Sequence, residues 1–162
     1  MVDTMTPEQR SRCMSAVKGK DTKPEMIVRK YLFSKGLRYR LHVRSLPGKP
    51  DLVLQKYKTV IFINGCFWHG HEGCKYYRMP KSNTKFWESK ITNNKKRDVQ
   101  NEKELKELGW RVIRIWECEI RRVQDRKHSL ESLYNQIVKK SPRYDENEIP
   151  IQIAAEEEIG YD

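Results

Sequence analysis

Long apolar runs are missing from this 162-residue chain. None approaches the roughly 20 residues that a membrane-spanning helix needs, and no secretory signal pattern is present. Cysteine is scarce, at four residues. Without an export context, so few cysteines point to a reducing compartment, and to thiols or a metal rather than disulfides. No internal repeat and no nucleotide-binding glycine loop occur, which sets aside solenoids and phosphate-loop enzymes. Acidic residues are few outside the C-terminus. The whole chain has 33 Lys and Arg against 22 Asp and Glu, a net +11. From Ser141 onward seven acidic residues stand against one basic, so residues 1–140 carry 32 basic against 15 acidic, a net +17. A body that basic suits a polyanion such as nucleic acid; the plainer alternative is charge for solubility. The length suits one domain with a real core, expected over residues 1–140, followed by an acidic tail at 141–162.

The densest chemistry is Gly65-Cys66-Phe67-Trp68-His69-Gly70-His71-Glu72-Gly73-Cys74. It follows the apolar run Val60–Ile63, which reads as a buried strand. Cys66, His71 and Cys74, with the distant Cys118, make a Cys3His set of the kind structural zinc prefers. The alternative is buried reduced thiols with loop histidines. His69 is left over. It is either a surface residue or, pinned beside a metal, a positioned base.

The remaining elements follow from caps and periodicity. Thr6-Pro7-Glu8-Gln9 is a capping box and starts a helix expected to reach Lys18. On it, Met14 is either packing or a wedge for a DNA groove. Thr22-Lys23-Pro24-Glu25 starts a second helix ending before Gly36. There Glu25 has the reciprocal capping position, or faces a site, or does both. Residues 37–44 alternate Leu, Tyr, Leu, Val with Arg, Arg, His, Arg and predict a half-exposed strand. Asp51–Leu54 and Thr59–Ile63 predict two more strands, antiparallel with the first. Asp51 opens a buried strand, which is costly without donors or a cation. It is either satisfied in the Pro-Gly-Lys-Pro turn or a ligand for Mg2+. A long helix is expected from Asn83 or Thr84 to Leu108, with Phe86, Trp87, Ile91, Val99, Leu105 and Leu108 as its apolar positions. Its polar, basic middle, including Lys90 and Asn94, faces phosphates on this reading. A fourth strand is expected over 110–116, and a last helix from Ser129 to Lys140. The fold class is therefore α/β (α+β): a mixed sheet of four strands or slightly more, flanked by helices.

The element order, with Pro50-Asp51 at a strand start, looks like a PD-(D/E)XK nuclease core. More specifically, Ser45–Asp51, Val60–His69, Phe86-Trp87 and Leu108–Cys118 closely resemble the very-short-patch repair (Vsr) endonucleases, from about Met14 to Glu119. That resemblance implies a nicking enzyme for double-stranded DNA, cutting beside the thymine of a T:G mismatch left by deaminated 5-methylcytosine. It implies that Asp51, with the Ile63 carbonyl, binds catalytic Mg2+, that His69 is the general base or acid, and that Glu25 orients metal-bound water. It implies structural Zn2+ on Cys66, His71, Cys74 and Cys118. Phe67, Trp68 and Trp87 would insert beside the mismatch, and Met14 from the opposite groove. The same analogy suggests a monomer, a bacterial cytoplasmic and nucleoid-associated setting, and mismatch-repair partners. Two positions depart from the pattern. Asn64 stands where better-known members have a catalytic histidine, and it cannot shuttle a proton. Glu72-Gly73 lengthens the zinc loop by one residue. A restriction-type nuclease of other specificity, and a zinc-stabilised DNA-binding protein without catalysis, are the competing expectations.

Overall fold

The computed structural model describes residues 5–16 and 21–139. The expectations for the acidic tail, and for the end of the first helix at Lys18, lie outside them. The elements are α1 (Pro7–Ser15), α2 (Lys23–Ser34), β1 (Arg40–Leu41), β2 (Leu52–Leu54), β3 (Thr59–Asn64), α3 (Thr84–Glu107), β4 (Arg111–Trp116), α4 (Glu117–Arg121) and α5 (Val123–Lys139). A single 3-10 turn, Gln55–Tyr57, joins β2 to β3.

The four strands form one mixed sheet in the order β1-β2-β3-β4. The first three are antiparallel neighbours, and β4 lies parallel to β3. A parallel neighbour needs a crossover, and α3 supplies it. Period-two alternation then decides which side chains meet which helices. Leu52, Leu54, Ile61 and Ile115 pack with Val28 and Leu32 of α2, Ile120 of α4, and Leu130, Leu133 and Ile137 of α5. Val53 and Val60 pack on the opposite face with Leu105 of α3. Arg111 fastens the end of α5 by donating to the carbonyls of Gln136 and Ile137 at 2.9 and 2.8 Å. A cation on the last turn also complements the helix dipole.

Four details differ from the sequence expectation. The strand over residues 37–44 keeps only Arg40–Leu41, because His42 turns into the left-handed region at φ 47°. Leu37 and Tyr39 are nevertheless buried as the alternation required. The last helix begins at Val123, not Ser129, and is preceded by α4. Residues 121–128 are almost all polar, so they carry no amphipathic signal. Their helix is set by Ile120 sealing the core and by Arg126 Nε donating to the Ile120 carbonyl at 2.7 Å. In α3 only Ile91 and Leu105 are buried, whereas Phe86, Val99 and Leu108 are exposed. The helix touches the sheet along a narrow line, so a broader stripe has nothing to pack on. Finally, Thr22 Oγ1 accepts from the Glu25 N–H, but the Glu25 side chain turns away from the cap toward Arg29.

Candidate active site and metal centre

Strand direction gathers the chemistry at one end of the sheet. β1, β3 and β4 leave the sheet there and β2 enters it. His42, Asp51, Asn64 and Cys118 therefore come from four separate stretches of sequence to one edge. A cleft of about 520 Å³ opens on this edge, lined by His42, Arg44, Lys49, Asp51, Ile63, Asn64, His69, Asp98, Asn101 and Arg114 among others. A second cleft of about 640 Å³ shares Ile63, Asn64 and His69 and continues to Trp68, Lys90 and Asn94.

Asp51 is held from the neighbouring strand, not by its own turn. Its Oδ2 accepts the Ile63 N–H at 2.7 Å. In an extended strand the N–H and C=O of one residue point to the same side, so the Ile63 carbonyl faces Asp51 as well. Burial pushes the Asp51 carboxyl up to about 6, the Ile63 bond pulls against it, and the Glu25 charge adds to the rise. An ionised carboxylate there calls for a cation. The donor set of one carboxylate and one carbonyl is all hard oxygen, which fits Mg2+ and not a soft metal.

His69 Nδ1 lies 2.6 Å from Asp98 Oδ2, and Arg114 Nη1 is 3.7 Å from the same oxygen. A carboxylate on one ring nitrogen fixes the ring and directs the other nitrogen elsewhere. Asp98 was absent from the sequence expectation. The available signal is an acid that directly follows Lys95-Lys96-Arg97 and shares a helix face with Glu102 at i+4. Asn64 is buried, and its Nδ2 has no hydrogen-bond partner among the described residues. A buried amide without a partner is costly, and this one lines both clefts, where a phosphate oxygen or water can accept from it.

Glu25 is 2% exposed and lines neither cleft. Arg29 donates to its Oε1, and His42 Nε2 is 2.8 Å from that oxygen. Met14 is exposed on α1, which has no buried residue.

The ligand atoms of Cys66, His71, Cys74 and Cys118 all lie within 4.8 Å of one another. Tetrahedral zinc with Zn–S bonds of ~2.3 Å sets its ligand atoms ~3.8 Å apart, so the four fit around one ion. The loop folds onto itself, with the His71 N–H donating to the Cys66 carbonyl at 2.9 Å. The His71 ring stacks on Trp116 at 4.1 Å, which carries the loop to β4 and thus to Cys118. Burial pushes the Cys66 thiol up to about 12, so a thiolate forms there only beside a cation. The lengthened part of this loop lies at the surface: Glu72 pairs with Lys95 at 3.0 Å, and Gly73 takes φ 74° in open space.

The same loop presents the aromatics. Phe67 and Trp87 meet edge-on at 5.3 Å between ring centres, Trp68 and Trp87 at 5.8 Å. Phe86 extends the group outward and is 59% exposed. Asn94 secures the loop from α3 by donating to the Trp68 carbonyl at 2.8 Å, and accepts from Arg97 at its other end. Lys90 stands exposed at the mouth of the second cleft. Close approach of loop and helix demands a glycine at position 70. A Cβ there would lie 2.3 Å from Lys95 Cε and 2.9 Å from Ile91 Cγ2, on a backbone at φ 61°. Gly70→Ala is therefore expected to destabilise the protein by about 1–3 kcal/mol. Thermal melting in the presence of zinc checks this; an unchanged melting temperature would show that the loop gives way freely.

A family model described as DNA mismatch endonuclease Vsr matches residues 2–75. The type II nicking enzyme V.NmeAIP of Neisseria meningitidis serogroup A is 53% identical over 121 residues, covering 75% of this chain and 86% of that protein. The type II nicking enzyme V.XorIIP of Xanthomonas oryzae pv. oryzae is 46% identical over 120 residues, covering 74% and 88%. DNA mismatch endonuclease Vsr of Escherichia coli (strain K12) is 42% identical over 121 residues, covering 75% and 77%. Identity at this level over about three quarters of the chain is not reached by chance. The protein is an enzyme acting on DNA and belongs to the Vsr family of DNA mismatch endonucleases.

Proposed function

We propose that this enzyme nicks one strand of duplex DNA beside the thymine of a T:G mismatch, by Mg2+-dependent phosphodiester hydrolysis. The observation that carries the reading is the cleft itself. A half-buried carboxylate, a strand carbonyl, an unpartnered amide and a carboxylate-braced imidazole converge there, next to a rigid aromatic loop.

Asp51 and the Ile63 carbonyl would hold the Mg2+. When bound, the ion neutralises charge on the attacked phosphoryl group and lowers the pKa of its water. Asn64 donates its Nδ2 hydrogens to a phosphate oxygen or to water. His69, oriented by Asp98, is the only one of these groups suited to move a proton near neutral pH. Arg44, Lys49 and Arg114 line the same cleft and neutralise flanking phosphates. Phe67, Trp68 and Trp87 serve as the wedge beside the mismatch, and Met14 on α1 reaches the other groove. Unstacking a mismatch costs less than unstacking a Watson–Crick pair, so such a wedge favours T:G over T:A. Zn2+ on Cys66, His71, Cys74 and Cys118 keeps wedge and cleft in one frame.

A duplex with one central T:G pair, labelled on each strand, tests the reading against a T:A control, with and without Mg2+. A single nick beside the thymine, requiring metal and mismatch, is expected. Equal cutting of T:A would favour another nuclease specificity. Tight binding without cutting would favour a DNA-binding protein.

A further inference from the structure

Glu25 is 2% exposed and is not among the residues that line the cleft. His42 stands between them. Its Nε2 is 2.8 Å from Glu25 Oε1, and its Nδ1 faces Asp51 Oδ1 at 3.9 Å, too long for a direct hydrogen bond. Unlike Glu25, His42 lines the cleft. Behind it, Arg29 gathers the acidic groups. The guanidinium donates to Glu25 and, at 2.6 Å, to Asp21, and lies 3.0 Å from His42 Nε2. Asp21 Oδ1 is also 3.8 Å from the imidazole.

The backbone supports this arrangement. Regular alternation would put His42 on the outer face of β1 with Arg38, Arg40 and Arg44. Instead it takes φ 47°, a conformation that costs a residue with a Cβ on the order of 1 kcal/mol or more. The turn ends the strand and swings the ring to Glu25. One anchor survives it, since the His42 N–H still donates to the Asp51 carbonyl at 3.3 Å. Ring and backbone of one residue thus address Glu25 and Asp51 together.

We propose that His42 is a positioning residue that joins the buried Arg29–Glu25 pair to Asp51 and sets the orientation of the divalent cation held there. The proposal rests on the metal-dependent reading above. The Ile63 N–H takes Oδ2, which leaves Oδ1 as the Asp51 oxygen that faces His42.

The test uses the full chain, with Mn2+ as the probe for the metal. Mn2+ affinity is measured by the loss of its free electron-spin signal, and single-turnover nicking of a T:G duplex is followed in parallel. His42→Leu removes both polar ends at similar volume; His42→Gln retains a donor and an acceptor. His42→Leu is expected to weaken Mn2+ binding and to slow nicking by about 10–100-fold each, with duplex affinity, zinc content and melting temperature near wild type. His42→Gln is expected to recover most of both. Mn2+ affinity and rate within about twofold of wild type for His42→Leu would overturn the proposal. So would equal losses in both variants accompanied by earlier melting, the mark of a structural role. If His42→Leu alone melts early, His42→Ala replaces it against His42→Gln under the same criteria. Failure of wild type to nick T:G would overturn the functional reading instead, while the Mn2+ comparison would still decide the role of His42.

Discussion

Asp51→Asn is expected to abolish Mg2+-dependent nicking, by about 10³-fold or more, and at the same time to raise the melting temperature of the metal-free protein at pH 7. The first effect follows from losing the charged ligand. The second follows from what burial does to that charge. Asp51 titrates at about 6 instead of its ordinary 3.8, chiefly through burial and against the pull of the Ile63 N–H. An acid whose folded pKa lies above its unfolded one is ionised more easily in the unfolded chain. Below about pH 4 both states are protonated and there is no penalty. Between about pH 4 and 6 the unfolded state ionises first and stability is lost as pH rises. Above that window the penalty is complete, and a shift of about two units corresponds to about 3 kcal/mol. Asparagine is neutral throughout and retains an oxygen for the Ile63 N–H. The variant should therefore melt about 5 °C or more above wild type at pH 7, without metal, and level with it near pH 4. Calorimetric melts at the two pH values, paired with the nicking assay, check both effects. Retained nicking would remove Asp51 from the metal site. Equal melting at pH 7 would mean that the carboxylate is already compensated in the metal-free protein.

Cys118→Ser is expected to have the larger effect on stability. On the proposed zinc centre, Cys118 would tie the loop over residues 66–74 to the start of α4, since the four ligand atoms all fall within 4.8 Å of one another. Serine is a poor zinc ligand near neutral pH, and the remaining three groups all lie in one loop. Their attachment to the body would then rest on the His71–Trp116 stack and the contacts of Trp68, Gly70 and Glu72 with α3. Loss of a structural metal is among the few mechanisms expected to exceed about 4 kcal/mol, or about 10 °C in a chain of this size. Zinc content after dialysis against a chelator should fall from one per chain to near zero. Nicking should fall with it, because the loop carries His69 as well as the wedge. Full zinc content with an unchanged melting temperature would remove Cys118 from the centre.

Much of this arrangement could be read along the chain, because its signals are local. Thr6 and Gln9 form their capping box with both bonds present. Leu52–Leu54 and Thr59–Asn64 pair antiparallel as their apolar pattern implied. Cys66, His71 and Cys74 are close in sequence, Cys118 is the one later cysteine, and the family resemblance implies the same four groups. Other features depend on contacts that no window contains. Asp98 becomes a partner of His69 only because α3 crosses the sheet beside the loop after β3. His42 looks like one more polar residue on a basic strand until a left-handed turn points it at Glu25 and Asp51. Residues 123–128 carry no amphipathic pattern, yet they become helical because Ile120 and Leu130 bind the segment to the core at its two ends. Spacing and residue type set the helices, the strands and the close grouping of Cys66, His71 and Cys74, since each depends on neighbours within a few positions. The direction of strands and the close approach of α3 set the reactive geometry, since hydrogen bonds under 3 Å between residues 12 and 29 positions apart exist only after the sheet and its crossover have formed.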